Sequence, residues 1–287
     1  MENTIELRAD QQRMFTVKNK KPIGWCPSVY RPMQTSDGLL VRLRPHLGRL
    51  TFVQLSSLCK MASRLGNGLL DITCRSNIQI RGFSTDTHHE FVATIKALRL
   101  LDKDYETERR RNITVTPFWI AGDENVQLAN ALVERLHELP SLPDKFGFII
   151  DGGKQPCLTD TSGDIRIERS KEGLIVRADK SIKGRSVNLE TALDHLIEMA
   201  EWFVQHRMPT QTRMAEVVSD HDLPSDWTQS VPLSTQQKNK NGVNLYGDLI
   251  AVPAGRILAS KLKEICARRS AKEIRLTPWY RVRVLGS

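Results

Sequence analysis

Apolar and polar positions alternate or recur in a definite order between Asp37 and Phe83, and that order predicts strand, helix, strand, tight turn, strand. In Leu40–Arg44, Val41 and Leu43 share one parity while Arg42 and Arg44 share the other, as a half-buried strand requires. Leu70, Ile72, Ile78 and Ile80 repeat the apolar parity, and Arg75, Asn77, Gln79 and Arg81 repeat the polar one. Between them, Thr51-x-x-Gln54 reads as a capping box opening a helix with Val53, Leu55, Leu58, Met61, Ala62 and Leu65 at helical spacing. One helix covers one sheet face. The other face is left to Arg42, Arg44, Arg75, Asn77, Gln79 and Arg81, with Asp71 the one acid of matching parity.

The pattern returns near the end of the chain, from Gly247. Gly48-Arg49-Leu50 falls on Gly255-Arg256-Ile257 at a shift of 207 residues, Cys59 falls on Cys266, and after a three-residue deletion Ile72-Thr73 falls on Leu276-Thr277. So long a separation is a duplicated half-domain with an insertion, not a solenoid. The expected fold class is α+β: two ferredoxin-like half-domains about a pseudo-two-fold axis, their polar faces lining a cleft, with an inserted α/β domain. The expected divisions are an extended arm over 1–36, a first half-domain over 37–102, the insertion over 103–206, a linker over 207–242 and a second half-domain over 243–287.

Within the insertion, helical spacing predicts helices over Asn125–Leu139 and Asn188–His206, and alternation predicts strands at Phe146–Ile150, Ile165–Glu168 and Leu174–Ala178. His88, His89 and His195 read as surface residues, Asp220-His221-Asp222 as an acidic loop, and 207–242, punctuated by Pro209, Pro224 and Pro232, as a stretch that packs no core.

Composition narrows the function classes. Of 287 residues, 40% are apolar and 26% charged, which is globular, and no apolar run nears the roughly 18 residues of a membrane span. The start of the chain lacks the apolar core of a signal peptide, so a cytoplasmic protein without a membrane partner is expected. With 42 basic against 33 acidic residues, the net charge of +9 calls for an acidic partner. Aromatics are only 6%, and no zinc-finger or aromatic RNA-recognition spacing is present, so nucleic acid is not the expected one. The five cysteines, at 26, 59, 74, 157 and 266, include no C-x-x-C pair, and Cys59 and Cys266 read as small core residues.

The run R-L-R-P…G-R-L-T…Q-L…G-N-G…D-I-T-x-R-x-N-I-Q-I-R-G resembles the half-domain of the sulfite and nitrite reductase superfamily. With Cys26-Pro27, Pro32-Met33 and the stretch LPDKFGFIIDG from Leu142 to Gly152, nearly the whole chain resembles the precorrin-3B synthase family of aerobic cobalamin biosynthesis. The resemblance implies oxygen-dependent hydroxylation of precorrin-3A with lactone formation. It also implies that Arg111, in the R-N-hydrophobic strand entrance, and Lys145 stand at the reaction cleft as catalytic groups. Arg42, Arg44, Arg75, Asn77 and Gln79 would bind substrate, because arginine forks hold the carboxylates of an anionic tetrapyrrole bidentately. Where sulfite-reducing relatives have a second lysine, this chain has Gly147, which disfavours siroheme chemistry on a small anion. The family's [4Fe–4S] cluster depends on paired cysteines that this sequence lacks. The electron source is then a separate iron–sulfur subunit or another donor, and a mononuclear iron is left without named ligands. Three rivals stay open: a non-enzymatic tetrapyrrole-binding module, a siroheme-dependent reductase, and RNA binding by a ferredoxin-like sheet.

Overall fold

The computed structural model describes residues 26–234 and 249–286. The first half-domain runs β1 (Met33–Thr35), β2 (Gly38–Leu43), β3 (Arg49–Thr51), α1 (Phe52–Leu65), β4 (Leu69–Ile72), β5 (Ile78–Phe83) and α2 (Thr85–Ala97). The capping box opens α1 as its sequence dictates: Thr51 Oγ1 accepts from the Gln54 amide at 3.2 Å, and Gln54 Oε1 accepts from the Thr51 amide at 2.9 Å. The helix buries Leu55, Leu58, Cys59, Met61, Ala62 and Leu65. Each large aliphatic side chain so removed from water contributes roughly 1.5–3 kcal/mol. Gly66 ends the helix where a Cβ would lie 2.5 Å from the Arg81 carbonyl oxygen, a place only glycine can occupy.

The insertion follows as α3 (Tyr105–Arg110), β6 (Ile113–Val115), α4 (Glu124–Glu134), β7 (Phe148–Asp151), β8 (Ile165–Arg169), β9 (Leu174–Ala178), β10 (Arg185–Val187), α5 (Ala192–His206) and α6 (Met214–Asp220). Its sheet has the order β10-β9-β8-β7-β6, with β6, β7 and β8 parallel and the remaining pairs antiparallel. Every residue of β7 and β9 is buried, the pattern of strands covered on both faces. Arg166 of β8 is fully buried and braces the loop before it, donating to the Thr161 carbonyl at 2.8 Å and to Glu168 at 2.8 Å.

The second half-domain contains β11 (Leu249–Ala251), β12 (Arg256–Leu258), α7 (Ala259–Arg268), β13 (Glu273–Leu276) and β14 (Arg281–Leu285). The two copies exchange a strand. β3 pairs with β13 in the sheet β11-β14-β13-β3, and β12 pairs with β4 in the sheet β1-β2-β5-β4-β12. Backbone conformation repeats with the sequence: Leu47 and Gly48 adopt φ of 55° and 65°, Ala254 and Gly255 50° and 76°, and Ser76 and Tyr280 54° and 55°. One core unites both copies, joining Leu50, Leu55, Leu70 and Ile78 to Ile257, Leu262, Cys266 and Ile274.

Two expectations need correction. The stretch 207–242, read as a linker, packs over its described part: α6 places Met214 and Val217 in the insertion's core, and Trp227 joins them. Prolines there punctuate a packed segment, because the apolar residues between them find the α5 face. The rest of that stretch, and the arm before Cys26, lie outside the described residues. His88 is buried, not exposed, and its Nε2 lies 3.0 Å from the Val29 carbonyl oxygen, which fixes residues 28–30 onto α2.

Candidate functional site

The side of the first sheet away from α1 carries the polar parity. On it the Gln79 amide, with its oxygen turned to Arg42, accepts from Nη2 at 2.8 Å and Nε at 3.1 Å. Asp71 holds Arg81 at 3.3 Å and takes a two-point contact from Arg256 of the exchanged strand, at 2.5 and 2.8 Å. These residues bind one another across strands. Asn77 is buried in the turn between β4 and β5, where its amide donates to Thr73 Oγ1 at 3.2 Å.

Arg44 and Arg111 converge. Arg44 is buried just beyond β2, and its guanidinium reaches the Glu108 carbonyl at the end of α3. Arg111 follows α3 and grips Asp102 through two 2.8 Å bonds while donating to the Arg44 carbonyl at 2.6 Å. They line a cavity of about 240 Å³ with His46, Leu47, Arg49, Gln54, Arg99, Leu100, Leu101, Asp102 and Val133. Four arginines and one histidine face a single acid. Burial lowers the Arg44 pKa to about 10, and the neighbouring Arg42 and Arg111 push in the same direction. Burial likewise lowers the His46 pKa, with Arg111 adding to the effect, which favours the neutral ring. Two buried guanidiniums, Arg44 and Arg111, with the exposed Arg49 and Arg99 at the rim, make a ready anion site.

Sequence reasoning missed Arg49, Arg99 and His46. Arg49 had a signal, since the GRL repeat puts it at the place of Arg256. Arg99 had none: it follows α2 at φ 55°, outside any periodic pattern. Lys145 is exposed, beside an Asp144 that Arg109 holds at 3.4 Å. At Gly147 a Cβ would come within 2.9 Å of Asn112 Nδ2, so this position admits no second lysine without displacing Asn112. Arg75 stands apart from the cavity, in the turn after β4, with Arg213 and Asp164 of the insertion as its foremost charged neighbours.

The cysteines do not fit a four-thiolate cluster. Cys59 and Cys266 are buried between α1 and α7, where burial raises their thiols to about 12 and about 11. Cys157 is buried elsewhere, against Thr116 Oγ1 at 3.3 Å and Asp151, and burial raises its pKa as well. Among the described residues, no group of three or more His, Cys, Asp or Glu side chains could hold a metal ion. No helix among them is long and apolar enough to cross a membrane.

Residues 31–98 match the family described as the nitrite/sulfite reductase ferredoxin-like half domain. A precorrin-3B synthase of Sinorhizobium sp is 34% identical over 154 residues, half of this chain and 32% of the relative. The ferredoxin–nitrite reductase of Synechococcus elongatus is 31% identical over 157 residues, again half of this chain and 30% of the relative. The chain thus spans about a third of the length of these curated relatives. The structure of the Mycobacterium tuberculosis NirA protein superposes with a TM-score of 0.62 at 16% identity, covering 86% of this chain and 54% of that one. Residues 31–98 are therefore a nitrite/sulfite reductase ferredoxin-like half-domain, set in a mixed α+β fold shared with the NirA protein.

Proposed function

We propose that this chain binds an anionic tetrapyrrole and serves a precorrin-3B synthase-like oxidoreductase of cobalamin biosynthesis. The observation that carries the proposal is the cavity lined by Arg44, Arg49, Arg99 and Arg111, with Asp102 the one acid in its lining and Arg49 also paired to Glu273. Whole-ligand pockets run to roughly 300–1,000 Å³, so a space of about 240 Å³ suits one carboxylate arm of a large ring rather than the ring itself. Guanidinium forks match carboxylates in geometry as well as charge, and a carboxylate seated there would offset the crowding of like charges on Arg44. Similarity to a precorrin-3B synthase over half the chain supports precorrin-3A as the acidic ring. The reaction would be hydroxylation with oxygen at a meso carbon, closed by lactone formation from a side-chain carboxylate. In it Arg44 and Arg111 would hold and orient the acidic edge, with Lys145 on an exposed loop as a further cation. Because the cysteines do not converge, electrons would come from a donor other than a cluster held by these residues.

Fluorescence titration with uroporphyrin III, an octacarboxylate ring, tests the binding step. Arg44→Gln should bind it 10- to 100-fold more weakly than the native chain, since a charge-assisted bond is worth roughly 1.5–3 kcal/mol. Equal affinity in the two proteins would remove the cavity from the ligand's footprint. Tight binding of a homopolymer RNA that weakens steeply with salt, with no porphyrin binding, would favour the nucleic-acid reading instead.

A further inference from the structure

We propose that Leu47, Leu100, Leu101 and Val133 make the Arg44–Arg111 cavity selective for a carboxylate carried on a short methylene stem, so that it takes a propionate arm of a tetrapyrrole in preference to an acetate arm. The ring rests on the tetrapyrrole reading; the preference for a stem rests on the lining of the cavity. These four aliphatic side chains line the same space of about 240 Å³ as the guanidiniums of Arg44, Arg49, Arg99 and Arg111. Each of the four is only partly buried. A bare oxyanion meets the arginines and leaves that apolar surface in water. A carboxylate with methylenes behind it covers both, and each methylene removed from water strengthens binding about fourfold, the equivalent of ~0.8 kcal/mol.

The aliphatic wall is held in place by both domains. Leu100 and Leu101 back onto the core of the half-domains, Leu47 backs onto the core of the insertion, and Val133 comes from α4. The turn after α2 that carries Leu100 is pinned by its backbone. The Leu98 amide donates to the Thr94 carbonyl and the Leu100 amide to the Ile95 carbonyl, both at 3.0 Å, with Arg99 between them at φ 55°. Gln54 fastens the start of α1 to the same turn: its Nε2 donates to the Leu98 carbonyl at 3.0 Å while its Oε1 accepts from the Thr51 amide. Just beyond Leu101, the Asp102 carbonyl accepts from the Tyr30 hydroxyl at 2.6 Å. A wall so pinned does not close on a shorter ligand, and an acetate arm leaves part of it wet.

The test uses the full chain at pH 7. Acetate and propionate are titrated by amide NMR shifts, with sulfate as an anion that has no stem. Propionate should bind about fourfold more tightly than acetate. Val133→Thr and Leu101→Asn, each close to the native side chain in volume, should bring that ratio below about twofold. Unchanged sulfate affinity shows that the cavity of a variant is intact. Arg44→Gln should weaken all three anions and leave the ratio as it is. Among rings, coproporphyrin III, whose acids are four propionates, should bind within about threefold of uroporphyrin III, which carries four acetates besides. Equal affinity for acetate and propionate, or coproporphyrin bound at least tenfold more weakly than uroporphyrin, would overturn the inference and leave a carboxylate cavity standing. A preference that survives both aliphatic substitutions would overturn its assignment to these side chains. Preference for propionate with neither porphyrin bound would uphold the inference and overturn the tetrapyrrole. If none of the three small anions bound, the cavity would cease to be an anion site and the inference would go with it.

Discussion

The two half-domain copies carry arginines on equivalent faces and use them differently. In the second copy, Arg275 lies 3.4 Å over the Trp119 ring and donates to the Pro117 and Trp119 carbonyl oxygens at 3.1 and 2.6 Å. Arg283 lies 4.8 Å over the Phe118 ring and donates to Pro117 as well, at 2.9 Å. That face is closed by the segment after β6, and its guanidiniums join the insertion to the second half-domain. In the first copy, Arg44 borders a cavity with Arg111 of the insertion, and the Arg75 guanidinium meets no partner among the described residues. A count of arginines on a strand therefore does not locate a site. What locates it is a guanidinium with an unmet edge.

Substitutions can break that contrast. The largest effect is expected for Arg275→Ala, which strands the Trp119 carbonyl, leaves the Pro117 carbonyl to Arg283, and leaves Glu273, its ion-pair partner at 2.9 Å, with Arg49 alone. Urea denaturation should show a loss of about 3–5 kcal/mol, with uroporphyrin affinity of the folded protein unchanged. A loss below about 1 kcal/mol would show that the second face is not structural in the sense drawn above.

A pH series sharpens the comparison, because the arginines on both faces keep their charge throughout the acid range. Burial raises the Asp151 pKa to about 6, against an unfolded value near the ordinary 3.8, so the native state holds a proton there that the unfolded chain has lost between about pH 4 and 6. Its contribution is most favourable below the unfolded value and is lost as pH climbs through about 6. Asp151→Asn should remove that slope, a difference of about 2–3 kcal/mol between pH 4 and 7 measured by denaturation. Parallel curves for the two proteins would take Asp151 out of the account. The smallest effect belongs to Arg283→Ala, a part-exposed cation over an aromatic ring. It should cost about 1 kcal/mol and leave porphyrin binding alone. A clear loss of binding would instead extend the site onto the second copy.

The sheets and α1 were legible because period-two and helical patterns and a capping box survive without tertiary context. The duplication was legible through GRL and the paired cysteines, yet the exchange of β3 and β12 was not. A three-residue strand carries no mark of which sheet receives it. The site was legible only in part. Arg44 followed from strand parity and Arg111 from the family resemblance alone, whereas Arg75, of the same parity, stands apart from the cavity. Arg49 and Arg99 reach their places through long-range packing, and the prolines of 207–242 concealed that Met214 and Val217 are core residues.

Because β3 belongs to the first copy in sequence but to the second copy's sheet, the cavity's walls come from both: Arg44 from just beyond β2 of one sheet, Arg49 from β3 of the other. Anything seated there clasps the two halves like a rivet. Its occupancy should therefore be felt as resistance to prying the pair apart, as well as in the chemistry at its rim.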